Sequence, residues 1–353
     1  MIVALDATPL TLSSGGLRRY TEELARALAE TFPDDQFLLV SDQAFPAPRT
    51  EGKNLRTGGA PRNWFERRWW LWGLNRELTR QRADVFHGTN FAVPYVPRRP
   101  SVLSLHDLSP WMDPAWHGEA QRVRRRTPRM LKRATMVLTD SEAVRRQAME
   151  RFGIPAGRIV AVPLAAASHL RPVEARPAAP YFLYLGTLEP RKNLGTLVEA
   201  FRQMRREYAV ELMLAGRRRP DFTPLPEEPG VRFLGEVGEE ALAGLYSGAV
   251  ACVYPSHYEG FGLPVLEAMQ CGAAVITTRD AAISELAAGA AVQLEARDTR
   301  AWLEAMRAAL ERPEWLAQWR QKGLARARDF SWERTARRTR EVYEEARRLA
   351  GVA

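Results

Sequence analysis

The sequence has few cysteines and no long apolar run. Its two cysteines, Cys252 and Cys271, lack metal-ligand spacing, so we expect small buried side chains rather than ligands or redox groups. No stretch reaches the ~18 consecutive apolar residues of a membrane span. The opening residues MIVALDATPL also lack the basic region and cleavage site of a signal peptide. These absences predict a cytoplasmic protein.

Lysine is scarce as well, although the chain is basic. Only four of its 51 basic residues are lysine, and its formal net charge is +9. Residues 1–170 carry 25 basic and 17 acidic residues, whereas residues 171–330 carry 20 and 21. The basic first half has no zinc-finger spacing and no RNA-binding signature. We therefore expect an anionic membrane or an acidic acceptor as its partner, and no nucleic acid.

A length of 353 residues suits two domains of ordinary size. The Ala- and Pro-rich stretch AAASHLRPVEARPAAP marks a linker between two halves, in each of which apolar strands alternate with helices. The sequence predicts an α/β protein with domains at residues 1–168 and 178–332, followed by a closing helix at about 333–353.

The stretch AVACVYPSHYEGFGLPVLEAMQCG, residues 249–272, is the most informative part of the chain. A buried apolar strand is followed by a glycine-broken loop and then by a helix with Pro264 in its first turn. Glu259 is predicted in the loop, and Glu267 about one turn inside the helix. Ligands of open α/β sheets bind at this edge.

Two carboxylates beside a helix N-terminus can hold a nucleotide sugar. The helix end suits an anionic group, and Glu267 can accept hydrogen bonds from a ribose diol. Glu259 and the neighbouring amides would hold the sugar hydroxyls and the phosphate. Those amides belong to Gly260, Phe261, Gly262 and Leu263. The alternative is a plain helix start with two solvated glutamates.

The longer pattern PSxYEGFGLPVLEAMxxG resembles the nucleotide-sugar signature of glycosyltransferase family 4. This resemblance implies the GT-B fold, in which two Rossmann-like domains face each other across a cleft. It also implies that the closing helix crosses back to the first domain, and that the anomeric configuration of the sugar is retained.

The second half opens with YFLYLGTLEPRKN, which again predicts a strand, a loop and a helix start. An ammonium group at Lys192 could neutralise a diphosphate leaving group; the alternative is a chance surface lysine. The motif GTLEPRKN is similar to that of a family 4 subgroup, which implies that Lys192 and Arg191 contact the diphosphate. Some relatives have an arginine directly after Gly186, where this chain has Thr187. Either Arg191 supplies that charge or one contact is absent.

Gly15 and Gly16 precede the first helix in the stretch SSGGLRRY. Two adjacent glycines before a helix leave backbone amides open, and a simple helix cap is the alternative. The dinucleotide fingerprint G-x-G-x-x-G is absent. The resemblance implies that this loop reaches the donor phosphates, with Gly16 at closest approach.

His87 and His106 both follow strands, where a cleft would lie. The resemblance implies that His106 approaches the transferred sugar, while Asn90 and Asp107 are weaker acceptor-side candidates. On the same basis, three residues that follow two later strands are predicted near the nucleotide base: Gly216, Arg217 and Val237.

The segment PRNWFERRWWLWGLNRELTRQ, residues 61–81, holds four of the ten tryptophans. Interleaved Trp, Phe and Arg on a short helix suit a membrane interface, and they equally suit a core helix. A second helix at residues 121–134, rich in arginine and interrupted by Pro128, could bind phosphates of a lipid carrier beside it.

The predicted function is transfer of a hexose from a nucleoside diphosphate sugar to a hydroxyl acceptor, such as a glycan or a lipid-linked saccharide. By resemblance, GDP-mannose is the first candidate donor and UDP-sugars come next. No D-x-D motif stands at the donor site, so neither a metal nor another cofactor is predicted. The residues predicted to act on the sugar and the diphosphate are His106, Arg191, Lys192 and Glu259.

Two other classes of protein remain open from the residues. One is a nucleotide-sugar epimerase or a phosphorylase on the same two-domain plan. The other is a non-catalytic basic module that binds a membrane or nucleic acid.

Overall fold

The computed structural model of the chain describes residues 1–117 and 121–352. These residues form two compact units. Residues 1–111, 121–164 and 331–352 belong to the first unit, and residues 112–117 and 165–330 belong to the second. The sequence predicted a first domain that ends at residue 168 and a second that runs from 178 to 332, and it did not anticipate that the short segment 112–117 belongs with the second half of the chain.

The first unit is built on a parallel sheet. Within the described residues it has seven strands in the order β3-β2-β1-β4-β5-β6-β7. They are β1 (Ile2–Asp6), β2 (Gln36–Val40), β3 (Leu55–Thr57), β4 (Val85–Gly88), β5 (Ser101–Leu105), β6 (Met136–Thr139) and β7 (Ile159–Ala161). The central strands are buried along their whole length, as expected when helices cover both faces of a parallel sheet.

The second unit repeats this plan. Its described residues form a parallel sheet of six strands in the order β10-β9-β8-β11-β12-β13. They are β8 (Tyr181–Leu185), β9 (Glu211–Ala215), β10 (Val231–Gly235), β11 (Ala251–Tyr254), β12 (Ala274–Thr278) and β13 (Val292–Leu294). The two predicted α/β units are therefore present, although the short strands β3 and β13 had no sequence signal.

Helices connect the strands of both sheets. They are α1 (Gly16–Thr31), α2 (Leu74–Arg80), α3 (Ser109–Met112), α4 (Gln121–Arg133), α5 (Glu142–Phe152), α6 (Leu194–Met204), α7 (Glu239–Gly248), α8 (Leu263–Gln270), α9 (Ala281–Ala287), α10 (Thr299–Glu311), α11 (Pro313–Ala327) and α12 (Trp332–Leu349). Among the residues described, no helix has the length and apolar character needed to cross a bilayer.

Two helix predictions were wrong in detail. Helix α4 continues through Pro128, because Thr127, Met130 and Leu131 are buried and hold its turns on the core. The aromatic segment becomes helical only at Trp69, where a π-helical turn (Trp69–Gly73) leads into α2. Residues 61–68 fold back, and the carbonyl of Glu66 packs so closely on Gly73 that a Cβ there would lie 2.0 Å from its oxygen.

Helix α12 belongs to the first unit, which confirms that the closing helix returns to the first domain. It packs on α1 and on the central strands β4, β5 and β6. The hydroxyl of Tyr343 lies 2.7 Å from Nδ1 of His87, whose Nε2 lies 2.8 Å from the hydroxyl of Ser104. His87 is fully buried, and burial lowers its pKa to about 3. This histidine is a core residue and does not face a ligand edge.

Each sheet changes its winding direction once, between β1 and β4 in the first unit and between β8 and β11 in the second. Connections on the two sides of such a switch point leave toward opposite faces of the sheet. They open a crevice at the carboxyl ends of the strands, where ligands bind. In the second unit, the loops that border this crevice follow β8 and β11.

Gly216 lies directly after β9 and packs against Gly186 in the loop after β8, so a substitution at Gly216 tests the packing between these two loops. Its φ is +134°, and a Cβ at this position would lie 2.0 Å from the carbonyl oxygen of Gly186. Backbone strain of this kind costs about 1–3 kcal/mol, so we expect Gly216→Ala to lower the melting temperature by several degrees. Thermal unfolding followed by circular dichroism measures the change.

The matched control is Gly244→Ala in α7. A Cβ at Gly244 would meet no atom within 4 Å. We expect this variant to be as stable as the wild type or ~0.4–1 kcal/mol more stable. Equal melting temperatures for Gly216→Ala and the wild type would contradict the close packing of the two loops.

Candidate active site

A cluster of charged side chains lies at the switch point of the second unit. Arg191 and Lys192 belong to a short turn after β8, and Glu259 lies in the loop after β11. The ammonium of Lys192 donates to Oε1 of Glu259 at 2.6 Å. The guanidinium of Arg191 donates to Oε2 of Glu259 at 3.1 Å and to the carbonyl of Tyr258 at 2.8 Å. Three of the four residues predicted to act on the sugar and diphosphate thus lie together.

The Glu259 carboxylate is ionised in this setting. Burial by itself raises the pKa of this group, but the charges of Lys192 and Arg191 outweigh burial and lower the pKa to about 2. An ionised carboxylate only accepts hydrogen bonds. Glu259 can therefore hold sugar hydroxyl groups, and it is not set up to donate a proton near neutral pH.

The N-terminus of α8 lies in the same loop as Glu259. Gly262 has a φ of +100°, and a Cβ there would lie 2.4 Å from a methyl group of Ile283, so the turn requires glycine. Phe261 is buried against Phe330, with ring centroids 6.0 Å apart. The side chain of Phe261 therefore packs in the core, and contact between a donor and the backbone of residues 260–263 stays a prediction.

Glu267 is the fifth residue of α8, as the sequence predicted, but its side chain is only 1% exposed. The hydroxyl of Tyr246 donates to its Oε2 at 2.8 Å. The carboxylate accepts this hydrogen bond inside the protein and is not exposed to solvent. A ribose contact at this residue stays a prediction.

The loops after β8, β9 and β10 lie side by side at the same sheet edge. The amide of Gly186 donates to Ala215 at 2.9 Å, and the amide of Gly216 donates to Gly235 at 2.7 Å. Residues predicted near the nucleotide base belong to these loops: Gly216, the exposed Arg217, and Val237 beyond the end of β10. Thr187, next to Gly186, accepts a hydrogen bond from Tyr184 through its carbonyl.

Gly15 and Gly16 lie at the start of α1 in the first unit. Gly15 has a φ of +110°, and a Cβ at either glycine would meet no atom within 4 Å. Both glycines are exposed, so the loop is open as predicted. Their approach to donor phosphates stays a prediction.

His106, also in the first unit, follows β5. Its Nδ1 lies 2.9 Å from the carboxylate of Asp140, and its Nε2 lies 2.8 Å from the carbonyl of Thr89. Burial lowers the pKa of His106, but the Asp140 charge and these hydrogen bonds raise it above its ordinary value. Both partners offer acceptor oxygens, so the protonated ring can donate to both of them. This arrangement suits a fixed cation better than a group that transfers protons.

Comparison with known proteins identifies the family. The model described as Glycosyltransferase Family 4 matches residues 14–166, and that described as Glycosyl transferases group 1 matches residues 179–312. O-antigen chain mannosyltransferase B of Escherichia coli is 30% identical over 381 aligned residues, which cover 98% of this chain and 100% of the relative. The chain belongs to glycosyltransferase family 4.

Solved structures show that the fold of this family 4 member is GT-B. Sucrose-phosphate synthase from Thermosynechococcus elongatus aligns with a TM-score of 0.77 at 21% identity, over 98% of each chain. The HepE protein of Anabaena, solved in complex with UDP and glucose, aligns with a TM-score of 0.73 at 18% identity, over 97% of this chain and 99% of that one.

Two residues that contact the charged cluster of this glycosyltransferase were not predicted from its sequence. Glu189 contacts Arg191, and Arg219 contacts Glu189. Glu189 had a signal, because it directly precedes the P-R-K motif. Arg219 is the last of three consecutive arginines, and only the fold distinguishes it from the other two.

The two cysteines are buried, as predicted. Burial raises the pKa of the Cys271 thiol to about 12, and that of Cys252 also lies far above its ordinary value. Among the described residues, no three His, Cys, Asp or Glu side chains are arranged to hold a metal ion. Metal independence itself stays a prediction.

The His106–Asp140 pair gives a testable pH dependence. We expect Asp140→Asn to lower the pKa of His106, because it removes the carboxylate that stabilises the imidazolium. In the wild type, the stability that comes from the protonated His106 ring is full below its unfolded pKa of ~6.5 and is lost as the pH rises through the raised pKa of His106. NMR titration of the histidine rings reports the shift. Asp34→Asn, at an exposed site in the same unit, is the control, and an unchanged His106 titration in Asp140→Asn would contradict this assignment.

Proposed function

We propose that this glycosyltransferase transfers mannose from GDP-mannose to a hydroxyl group of a glycan or a lipid-linked saccharide. The observation that carries the proposal is the Glu259 carboxylate paired with Lys192 and Arg191 at the switch point of the second unit. The sugar assignment is supported by the relative that is named an O-antigen chain mannosyltransferase. It is also supported by the MMP alpha-(1->4)-mannosyltransferase of Mycolicibacterium hassiacum, 31% identical over 67% of this chain. UDP-sugars are the second candidates, since HepE was solved with UDP-glucose.

Each part of the cluster has a distinct task in this proposal. Lys192 and Arg191 neutralise the diphosphate as the bond between it and the sugar C1 breaks, and the N-terminus of α8 adds its positive end. Glu259 accepts hydrogen bonds from the sugar hydroxyls, and Glu267 accepts them from the ribose. The acceptor oxygen forms the new bond to C1 as the bond between C1 and the diphosphate oxygen breaks, and the proton of the acceptor hydroxyl passes to the leaving diphosphate.

Metal independence and retention of configuration are parts of the same proposal. The two cationic side chains supply the charge that a metal ion supplies in other transferases, so activity should persist in a chelator such as EDTA. The resemblance of the motifs to family 4 supports retention, which the proton NMR coupling of the product's anomeric centre would report.

A screen of nucleotide sugars tests the proposed function directly. The purified protein is incubated with GDP-mannose, UDP-glucose and other donors, and release of the nucleoside diphosphate is measured with and without acceptor. A parallel thermal-shift series uses GDP and UDP, since a ligand at ~100 times its dissociation constant stabilises by about 2.7 kcal/mol. The proposal would be contradicted if the protein neither bound nor turned over any member of the panel.

Membership of family 4 favours sugar transfer over the epimerase and phosphorylase alternatives.

Two substitutions separate binding from turnover. We expect Lys192→Ala to lower kcat at least tenfold, because the leaving diphosphate loses a charge-stabilising contact. We expect Glu267→Ala to weaken nucleotide binding, measured by calorimetry with GDP. Lys322→Ala, which removes an exposed lysine of the same unit, should change neither quantity. Unchanged kinetics and binding in both site variants would rule out these roles.

We also propose that the first unit contacts an anionic membrane, which would place the protein in the cytoplasm at the inner membrane face. In the aromatic segment, Trp69 is 3% exposed, whereas Trp64 and Trp72 are 60% and 49% exposed. The segment therefore divides into a core part and a surface part. Phe65 and Leu71 are also exposed, so an apolar surface consists of Trp64, Phe65, Leu71 and Trp72.

The arginine-rich helix α4 lies beside this segment. The guanidinium of Arg126 lies 5.2 Å from the ring centroid of Trp70 and 5.6 Å from that of Tyr95. That of Arg133 lies 5.8 Å from the ring of Tyr95. Trp70 and Tyr95 are half-buried, but Arg68 also lies over a ring, that of the exposed Trp64, at 5.5 Å from its centroid. An exposed ring beside guanidinium groups matches an interface of apolar chains and anionic headgroups.

Vesicle binding tests the membrane proposal. We expect the double variant Trp64→Ser/Trp72→Ser to lose most of its co-sedimentation with phosphatidylglycerol vesicles, while its melting temperature stays near that of the wild type. The control Leu349→Ser removes an exposed apolar residue at the end of α12. Equal sedimentation of the wild type with neutral phosphatidylcholine vesicles, or with no vesicles, would argue against an anionic surface.

A further inference from the structure

A second buried carboxylate, that of Glu189, contacts one of the two cations of the proposed diphosphate site. Glu189 is only 5% exposed and stands between two arginines. Its Oε1 lies 2.6 Å from Nε of Arg191, and its Oε2 accepts a hydrogen bond from Nη1 of Arg219. Arg191 is the arginine that also contacts Glu259. Glu189 thus links the proposed diphosphate site to an arginine from another loop.

Arg219 is itself held on every nitrogen of its guanidinium group. Nε and Nη2 donate to the Asp221 carboxylate at 2.5 and 2.6 Å. Nη2 also donates to the carbonyl of Trp116, and Nη1 donates to Glu189. A guanidinium with these partners has a fixed plane. It suits an anchor for Glu189 rather than a phosphate ligand.

The surrounding backbone holds this anchor in place. The amide of Leu188 donates to the carbonyl of Arg217 at 2.9 Å, and the amide of Arg219 donates back to Leu188 at 3.0 Å. On the other side, the ring of Trp116 stacks on His257 with centroids 5.9 Å apart and planes 4° apart. The loops after β8 and β9 and the segment 112–117 therefore meet at one charged cluster.

Arg191 forms ion pairs with two carboxylates, Glu189 and Glu259, and a hydrogen bond to the carbonyl of Tyr258. Glu189 lies against its Nε, while Nη1 donates to Glu259 and to the carbonyl of Tyr258. Removing Glu189 would take away the ion pair at Nε, while the contacts of Nη1 with Glu259 and with the Tyr258 carbonyl remain. The guanidinium plane could then turn about the contacts at Nη1.

We infer that Glu189 is a positioning residue for the diphosphate site: it orients Arg191, and Arg219 anchors it. This inference rests on the proposed function, because it concerns how the same site receives the β-phosphate of the donor. Glu189 itself touches no substrate in this role and acts through Arg191.

Electrostatics alone gives the opposite expectation, which makes the inference testable. A carboxylate near an anion site repels the anion, so removing its charge should strengthen diphosphate binding if position does not matter. If orientation of Arg191 matters more, removing the charge should weaken binding, because a misplacement near 1 Å can cost on the order of 100-fold at such sites. The sign of the change distinguishes the two.

The experiment measures what the β-phosphate contributes to affinity. Dissociation constants for GDP and GMP are measured by calorimetry, with UDP and UMP as a second pair. We expect Glu189→Gln to reduce the preference for the diphosphate over the monophosphate by about tenfold, because Gln can satisfy only one of the two guanidinium groups. An unchanged or increased preference would overturn the inference.

A double-variant cycle tests whether Glu189 acts through Arg191. Glu189→Gln is combined with Arg191→Lys, and the preference for the diphosphate should fall no further than in Arg191→Lys alone. Independent, additive losses would indicate a general structural effect and overturn the positioning role. Glu304→Gln, which breaks an exposed ion pair on α10 and removes the same charge, should leave the preference unchanged.

A substitute variant and the wild-type binding result distinguish failure of the positioning role from failure of the proposed donor function. If Glu189→Gln does not fold, Glu189→Asp replaces it; this variant keeps the charge but is too short to reach both arginines, so the same loss of preference is expected. If the wild type binds neither GDP nor UDP, the proposed donor function fails, and the positioning role fails with it. If the wild type binds and the Glu189 variants keep their preference, only the positioning role fails.

Discussion

The site depends on the pairing of one carboxylate, Glu259, with two cations from another loop, Lys192 and Arg191. Each of these groups alone would be costly to bury, because desolvation penalises an uncompensated charge. Together they compensate one another and join the loops after β8 and β11 across the switch point of the sheet. The parallel sheet makes this possible, because it brings the carboxyl ends of strands distant in sequence to one edge.

The charge balance of this cluster shapes how a diphosphate can bind. Lys192, Arg191 and Arg219 are offset by Glu259, Glu189 and Asp221 through direct ion pairs. A diphosphate therefore does not meet an uncompensated cationic patch. In the proposed function it gains by adding acceptors to groups that the acids already orient, which is preorganisation of the kind that stabilises developing charge.

The two histidines near the strand ends of the first unit, His87 and His106, differ in ways that their neighbouring residues do not predict. His87 lies in β4 and His106 directly follows β5, and the two looked alike in the sequence. His87 contacts Tyr343 of the last helix, 256 residues away, and burial lowers its pKa, whereas His106 contacts Asp140 and its pKa is raised. The residues next to each histidine do not predict its partner. The different pKa shifts of the two histidines therefore follow from the packing of the first unit.

Local patterns did determine the alternation of strands and helices, the two-unit plan, and the loops that carry Lys192 and Glu259. Glycines that require unusual backbone angles and short apolar runs act over a few residues, so they can be recognised along the chain. Tertiary structure alone decided that Glu267 lies beneath the surface, that Arg219 rather than its neighbours holds Glu189, and that Trp116 joins the second unit. It also divided the aromatic segment between core and surface. Each of these outcomes depends on contacts between residues far apart in sequence, and burial and pairing at that range leave no local periodicity to detect.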